Sequence, residues 1–131
     1  MEQEATMRLL VTESDPMVRQ WLGVQAAELG ITLVFASDGD ETRRAITDEE
    51  PDCVVLDAST SAEDDAPLWS QLRRAPETQH IPLLLYSSSQ RWQRVAELAA
   101  NEVDGILTRP FTTATLLDAA RRASAVRQPS A

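Results

Sequence analysis

An α/β domain with a parallel sheet covered by helices is the fold class this sequence predicts, and three observations predict it. Five short apolar runs alternate with longer segments of helical period, the order expected when each strand returns through a helix to the same sheet. The run Cys53-Val54-Val55-Leu56 is apolar at every position, as suits a central strand buried on both faces. Each run also stops on polar residues, so the acids and hydroxyls gather where the strands end.

The elements follow in order. Arg8-Leu9-Leu10-Val11-Thr12 reads as the first strand, and Glu13-Ser14-Asp15-Pro16 ends it and opens the first helix, with proline suited to a first helical turn. Val18, Trp21, Leu22 and Leu29 recur at roughly helical spacing, which predicts core positions, and Gly30 stops the helix. Residues 31–36 form the second strand, and a short amphipathic helix runs from about Glu41 to Glu49, before Pro51. After the third strand and Asp57, residues 58–66 read as a loop and residues 67–74 as the third helix. Residues 81–86 are the fourth strand, closed by Ser87, Ser88 and Ser89, and residues 91–100 the fourth helix, stopped by Asn101. Residues 105–108 make the fifth strand, cut by Arg109-Pro110; Thr112 or Thr113 caps the last helix, which carries Leu116, Leu117 and Ala120. The expected organisation is an extension over 1–6, one domain over 7–124 and a flexible tail over 125–131, without repeats or linkers.

Composition narrows the function classes. The chain of 131 residues is 43% hydrophobic and 25% charged, the balance of one domain with a proper core. No apolar run reaches the roughly 18 residues of a membrane span and the start lacks the pattern of a secretory leader, so a cytoplasmic protein without membrane contact is expected. The single cysteine, Cys53, cannot close an internal disulfide and reads as a buried, inert thiol. A formal charge of −9 repels phosphate backbones, which argues against direct nucleic-acid binding. With four glycines and no glycine-rich loop after the first strand, a nucleotide-binding enzyme is disfavoured.

In an open parallel sheet, ligands bind beyond the carboxyl ends of the strands. The residues there are Glu13, Ser14 and Asp15 after strand one, Asp57 after strand three, Ser87 and Ser88 after strand four, and Thr108 and Arg109 after strand five. Right-handed crossovers place all of them on one edge. A carboxylate at the end of a fully apolar strand needs water or a partner. Hard oxygen donors around Asp57 would suit Mg²⁺. The Arg109–Pro110 bond is a place to check for a cis peptide, which would aim Arg109 inward.

With residues 51–57 (Pro-Asp-Cys-Val-Val-Leu-Asp), 81–87 (Ile-Pro-Leu-Leu-Leu-Tyr-Ser) and 107–111 (Leu-Thr-Arg-Pro-Phe) in order, the chain resembles the receiver domain of two-component response regulators from about Met7 to Ala123. The resemblance implies a flavodoxin-like, doubly wound sheet of order 2-1-3-4-5 with five helices. It implies that Asp57 is the phosphoacceptor, served by a histidine kinase or phosphotransfer protein with Mg²⁺ assistance. Ser87 then matches the hydroxyl that turns toward the phosphoryl group, Arg109 the family's lysine, and Ser59 a backbone carbonyl offered to the metal. The signal leaves through the face of the fourth helix, fifth strand and fifth helix, where Trp92, between arginines, suits a protein anchor and a homodimer is an option.

Other positions depart from that pattern. The paired acids fall on Glu13 and Ser14, so one metal-binding carboxylate has become a neutral hydroxyl, and weaker Mg²⁺ binding and slower phosphorylation are expected. Asp15 compensates only if the loop shifts by one residue, against the register set by Pro16. Arg109, planar and bidentate, is able to close on Asp57 or Glu13 itself. Ile106 stands where an aromatic usually switches rotamer, and the loop after Asp57 lacks the usual Met-Pro and Asp-Gly. A phosphorylation-independent pseudo-receiver, acting as a protein-interaction module, is therefore the second reading.

Overall fold

The computed structural model describes residues 7–58, 67–86, 94, 97, 102–107 and 111–127. Five strands, β1 (Arg8–Thr12), β2 (Thr32–Ala36), β3 (Cys53–Asp57), β4 (Leu83–Tyr86) and β5 (Gly105–Leu107), form a single sheet. Its order is β2-β1-β3-β4-β5 and every pairing is parallel, the flavodoxin-like arrangement. Helices α1 (Pro16–Leu29), α2 (Gly39–Glu49) and α3 (Leu68–Arg74) and a C-terminal helix (Thr113–Arg127) are described. Of the helix expected over 91–100, Arg94 and Glu97 are described, and both are helical and exposed.

Local chemistry sets the helix ends. Asp15 caps α1, its carboxylate accepting from the Met17 amide, with Pro16 in the first turn. Gly30, at φ 70°, takes the left-handed conformation and returns its N–H to the carbonyls of Ala26 and Ala27. α2 begins at Gly39, two residues before the expected Glu41, because Asp38 caps it by accepting from the Glu41 amide at 2.8 Å. Thr112 caps the C-terminal helix through the Thr115 amide, which decides between the two threonines. That helix continues to Arg127, past residue 124 where the domain is expected to end; its last turns, Arg121 to Arg127, contain two alanines, strong helix formers.

Alternation along the strands divides the core. Leu9, Val11, Cys53, Val55, Leu84, Tyr86 and Leu107 pack on one face with Ala26 of α1 and Leu116 and Ala120 of the C-terminal helix. Leu10, Val54, Leu56, Leu83 and Leu85 pack on the other with Ile46 of α2 and Leu68 and Leu72 of α3. Two expected core positions are not core: Trp21 is 47% and Leu29 45% exposed. The buried stripe of α1 runs through Leu22 and Ala26, and Trp21 falls with Met17 and Val24 on the solvent side, since residues three and four apart share a face.

Candidate functional site

Parallel register brings the acids together. Leu9 pairs with Cys53 and Val11 with Val55, so β1 and β3 end at the same level and carry Glu13 and Asp57 to one edge. Asp57 still belongs to β3, opposite Tyr86 of β4, and is half-buried.

Glu13 is the buried acid of this edge, at 9% exposure. Its amide donates to the Ala36 carbonyl at 2.9 Å, continuing the β1–β2 ladder past the strand. One carboxylate oxygen, Oε1, accepts from the Tyr86 hydroxyl at 2.9 Å, and the other, Oε2, from the Asp15 amide at 3.1 Å. The Arg19 guanidinium donates to the Glu13 carbonyl and, at 2.6 Å, to the Ser37 hydroxyl, while lying 5.5 Å from the centre of the Phe35 ring. Behind the loop, the buried hydroxyls of Thr12 and Thr42 share a 2.9 Å hydrogen bond that ties β1 to α2.

Ser14 is exposed, and Asp15, also exposed, spends its carboxylate on the α1 cap. Asp15 therefore keeps the register set by Pro16. Ser59, Ser87, Arg109 and Trp92, with the Arg109–Pro110 bond, lie outside the described residues. Ile106 is half-buried and packs against the α2–α3 side of the core. His80 is exposed. Cys53 is fully buried, and burial first, then the charges of Asp104 and Asp52, push its thiol up to about 12, as an inert thiol requires.

Two hard carboxylates on neighbouring strand ends suit a small divalent cation such as Mg²⁺, which takes one or two carboxylates and keeps several waters. Among the described residues no three His, Cys, Asp or Glu side chains gather into a fuller ligand set. No helix of the described residues is long and apolar enough to cross a membrane. A groove of about 140 Å³ between α2 and α3, floored by Ile46 and Leu72, contains none of the expected site residues.

Tyr86 and Arg19 are the site residues sequence reasoning missed. Tyr86 reads as the last member of an apolar strand, and the signal available was a lone hydroxyl-bearing ring at the end of that run, level with the acids. Arg19 sits on α1, where an arginine is unremarkable until the helix is placed against the β2–α2 loop.

Comparison with known proteins follows the same lines. The sequence profile described as response regulator receiver domain matches residues 9–121. The virulence transcriptional regulatory protein PhoP of Salmonella typhimurium is 28% identical over 105 residues, which cover 80% of this chain and 46% of PhoP, so the chain spans about half the length of such relatives. A sensor protein from a Polaromonas species superposes with a TM-score of 0.77 at 18% identity, covering 93% of this chain and 98% of that one. The receiver domain of a Pseudomonas aeruginosa sensor histidine kinase, solved with a magnesium ion in its active-site cleft, gives 0.74 at 19% identity over 92% of this chain and 99% of that one.

Proposed function

Because the chain belongs to the response regulator receiver domain family, we propose that Asp57 is its phosphoacceptor. Receiver domains are signalling modules that work between histidine kinases and downstream effectors. The observation that supports the proposal is the shared register of β1 and β3, which brings Asp57 and the buried Glu13 to the same edge of the sheet.

An oxygen of the Asp57 carboxylate attacks the phosphorus of a phosphohistidine. The new O–P bond forms as the P–N bond breaks, the imidazole leaves with the electron pair and takes up a proton, and an aspartyl phosphate remains. Glu13, Asp57 and the Ser59 carbonyl are the groups to hold Mg²⁺, which when bound neutralises charge on the transferred phosphoryl oxygens. Arg109 contacts those oxygens with its planar guanidinium, and the Ser87 hydroxyl turns toward them. Ser14 is exposed and uncharged, so the site attracts the cation less strongly than a pair of acids, and phosphorylation is correspondingly slow. The output surface is the segment 91–100 with β5 and the C-terminal helix, with Trp92 as anchor for a protein target or a second copy. With Ile106 packed against the core, this output does not use an aromatic swing.

A pseudo-receiver is the second reading, favoured by one observation: Asp15, the acid that follows Ser14 in the loop, is committed to capping α1. Intact mass after incubation with acetyl phosphate and Mg²⁺ separates the two. A phosphoryl adduct that disappears in Asp57→Asn supports the phosphoacceptor; no adduct, and no tryptophan fluorescence change with beryllofluoride, leaves the interaction module.

A further inference from the structure

Helix α1 turns an apolar face to solvent. Of the five large apolar side chains that are exposed among the described residues, four, Met17, Trp21, Val24 and Leu29, belong to this helix. At 3.6 residues per turn, Met17, Trp21, Val24 and Glu28 fall within an arc of about 60°, on the far side of the helix from the buried Leu22 and Ala26. The stripe is open, with Met17 79% and Val24 59% exposed. Gly23 and Ala27, one turn apart, border it, and a Cβ at Gly23 would meet nothing within 4 Å among the described residues. A glycine inside a helix costs backbone entropy, and no packing inside the chain requires one here; its missing side chain lets a second helix come close.

The charges of α1 say what fits that face. The helix carries one cation, Arg19, and one anion, Glu28, in a chain of net charge −9. Arg19 is turned away from the stripe, onto the Glu13 carbonyl, the Ser37 hydroxyl and the Phe35 ring. Glu28 lies in the last turn, where the helix dipole disfavours an acid, while the first turn after the Asp15 cap holds no acid of its own. The stripe is also self-complementary. When two copies of α1 run antiparallel, with a two-fold axis level with residues 22 and 23, Trp21 of each meets Val24 of the other. Glu28 of each then lies beside Met17 of the other, at the positive end of the opposite helix. The face offers no row of charge to a partner of opposite sign. A helix of 14 residues is about 21 Å long, too short to bury alone the roughly 800 Å² per partner of a standard interface, so the pair is weak, with a dissociation constant on the order of 100 µM.

We propose that a second copy of this chain covers the α1 face, the two helices antiparallel and in the register that pairs Trp21 with Val24. The contact is separate from the output surface named above and needs no phosphoryl group on Asp57.

The test is sedimentation equilibrium of the full chain from about 10 µM to about 1 mM. A reversible monomer–dimer equilibrium is expected, tighter by about twofold or more between about 50 mM and about 500 mM NaCl, because salt screens the repulsion between two acidic chains. Trp21→Glu and Met17→Glu, both at exposed positions, each weaken it at least about tenfold. Adding Glu28→Arg to Met17→Glu restores most of that loss, since positions 17 and 28 face each other only between antiparallel copies. Gly23→Ala raises the thermal midpoint of the dilute monomer by about 2–5 °C, as a better helix former, yet weakens the dimer about threefold or more. A chain that stays monomeric at the highest concentration leaves the face to a partner of another kind, and the proposal falls. It falls equally if the dimer is indifferent to both stripe substitutions, is loosened by salt, or is abolished by Trp92→Glu alone. Failure of Glu28→Arg to rescue overturns the register and the proposal with it. Should Trp21→Glu not fold, by circular dichroism, Met17→Glu and its rescue decide.

Discussion

The two edges of the sheet handle charge in opposite ways. At the edge where the strands begin, Arg73 and Asp104 form an ion pair at 2.6 Å with side chains only 10% and 6% exposed. Arg73 also donates to the carbonyls of Glu102, Gln79 and Ile81, and Asp104 accepts from the Leu83 amide, so the pair ties α3 to the starts of β4 and β5. At the edge where the strands end, the buried acid Glu13 accepts from a phenol and from a backbone amide. The first edge seats its acid on a guanidinium; at the second, a phenol and a backbone amide orient the carboxylate.

Removing the cation of the first edge is the sharpest way to break that contrast. Arg73→Ala leaves Asp104 buried without its cation and is expected to cost about 3–5 kcal/mol, read by urea unfolding. A loss below about 1 kcal/mol would mean the edge is not closed as described. The same edge disfavours new charge at Cys53. Below pH 9 its thiol is protonated in both states and contributes nothing; above pH 9 the unfolded chain ionises while the folded thiol, pushed up to about 12, does not. The thiol's contribution to stability then falls by about 1.4 kcal/mol per pH unit up to that value, a component that Cys53→Ala should lack when its unfolding is compared with wild type at each pH. All twelve basic residues are arginine, so no lysine titration overlaps the window.

The acid edge is tested by addition. Ser14→Asp restores a second carboxylate at an exposed position and is expected to raise Mg²⁺ affinity roughly tenfold and speed the acetyl phosphate reaction, because ligand charge sets affinity in such sites. Unchanged affinity would assign the weakness of the pocket to something other than the missing acid. The smallest effect belongs to Asp15→Ala, which removes the α1 cap for about 1 kcal/mol and alters Mg²⁺ affinity by less than about twofold. A larger loss of affinity would make Asp15 a ligand after all.

Most of the fold was legible because apolar runs bounded by turn residues report burial directly, as at Cys53 to Leu56 and at Gly30. Strand order was not: runs of similar composition do not say which neighbours pair, and the order came from resemblance to the family. Trp21 misled because helical spacing finds a stripe without saying which of two adjacent stripes faces the sheet. At the site, Glu13, Ser14 and Asp57 were visible as strand-end residues. The grip of Tyr86 on Glu13 was not, since it joins residues 73 apart in sequence, and the Arg73–Asp104 pair, 31 apart, was hidden for the same reason.

Arg19 has a mechanical consequence. By spanning the Glu13 carbonyl and the Ser37 hydroxyl, one side chain from α1 couples the loop after β1 to the loop after β2. The two segments form a single lip, braced at its far side where the Ser37 amide donates to the Glu41 carboxylate. A push on the start of α2 is therefore transmitted to the backbone that carries Glu13, and that rim of the pocket shifts as one body.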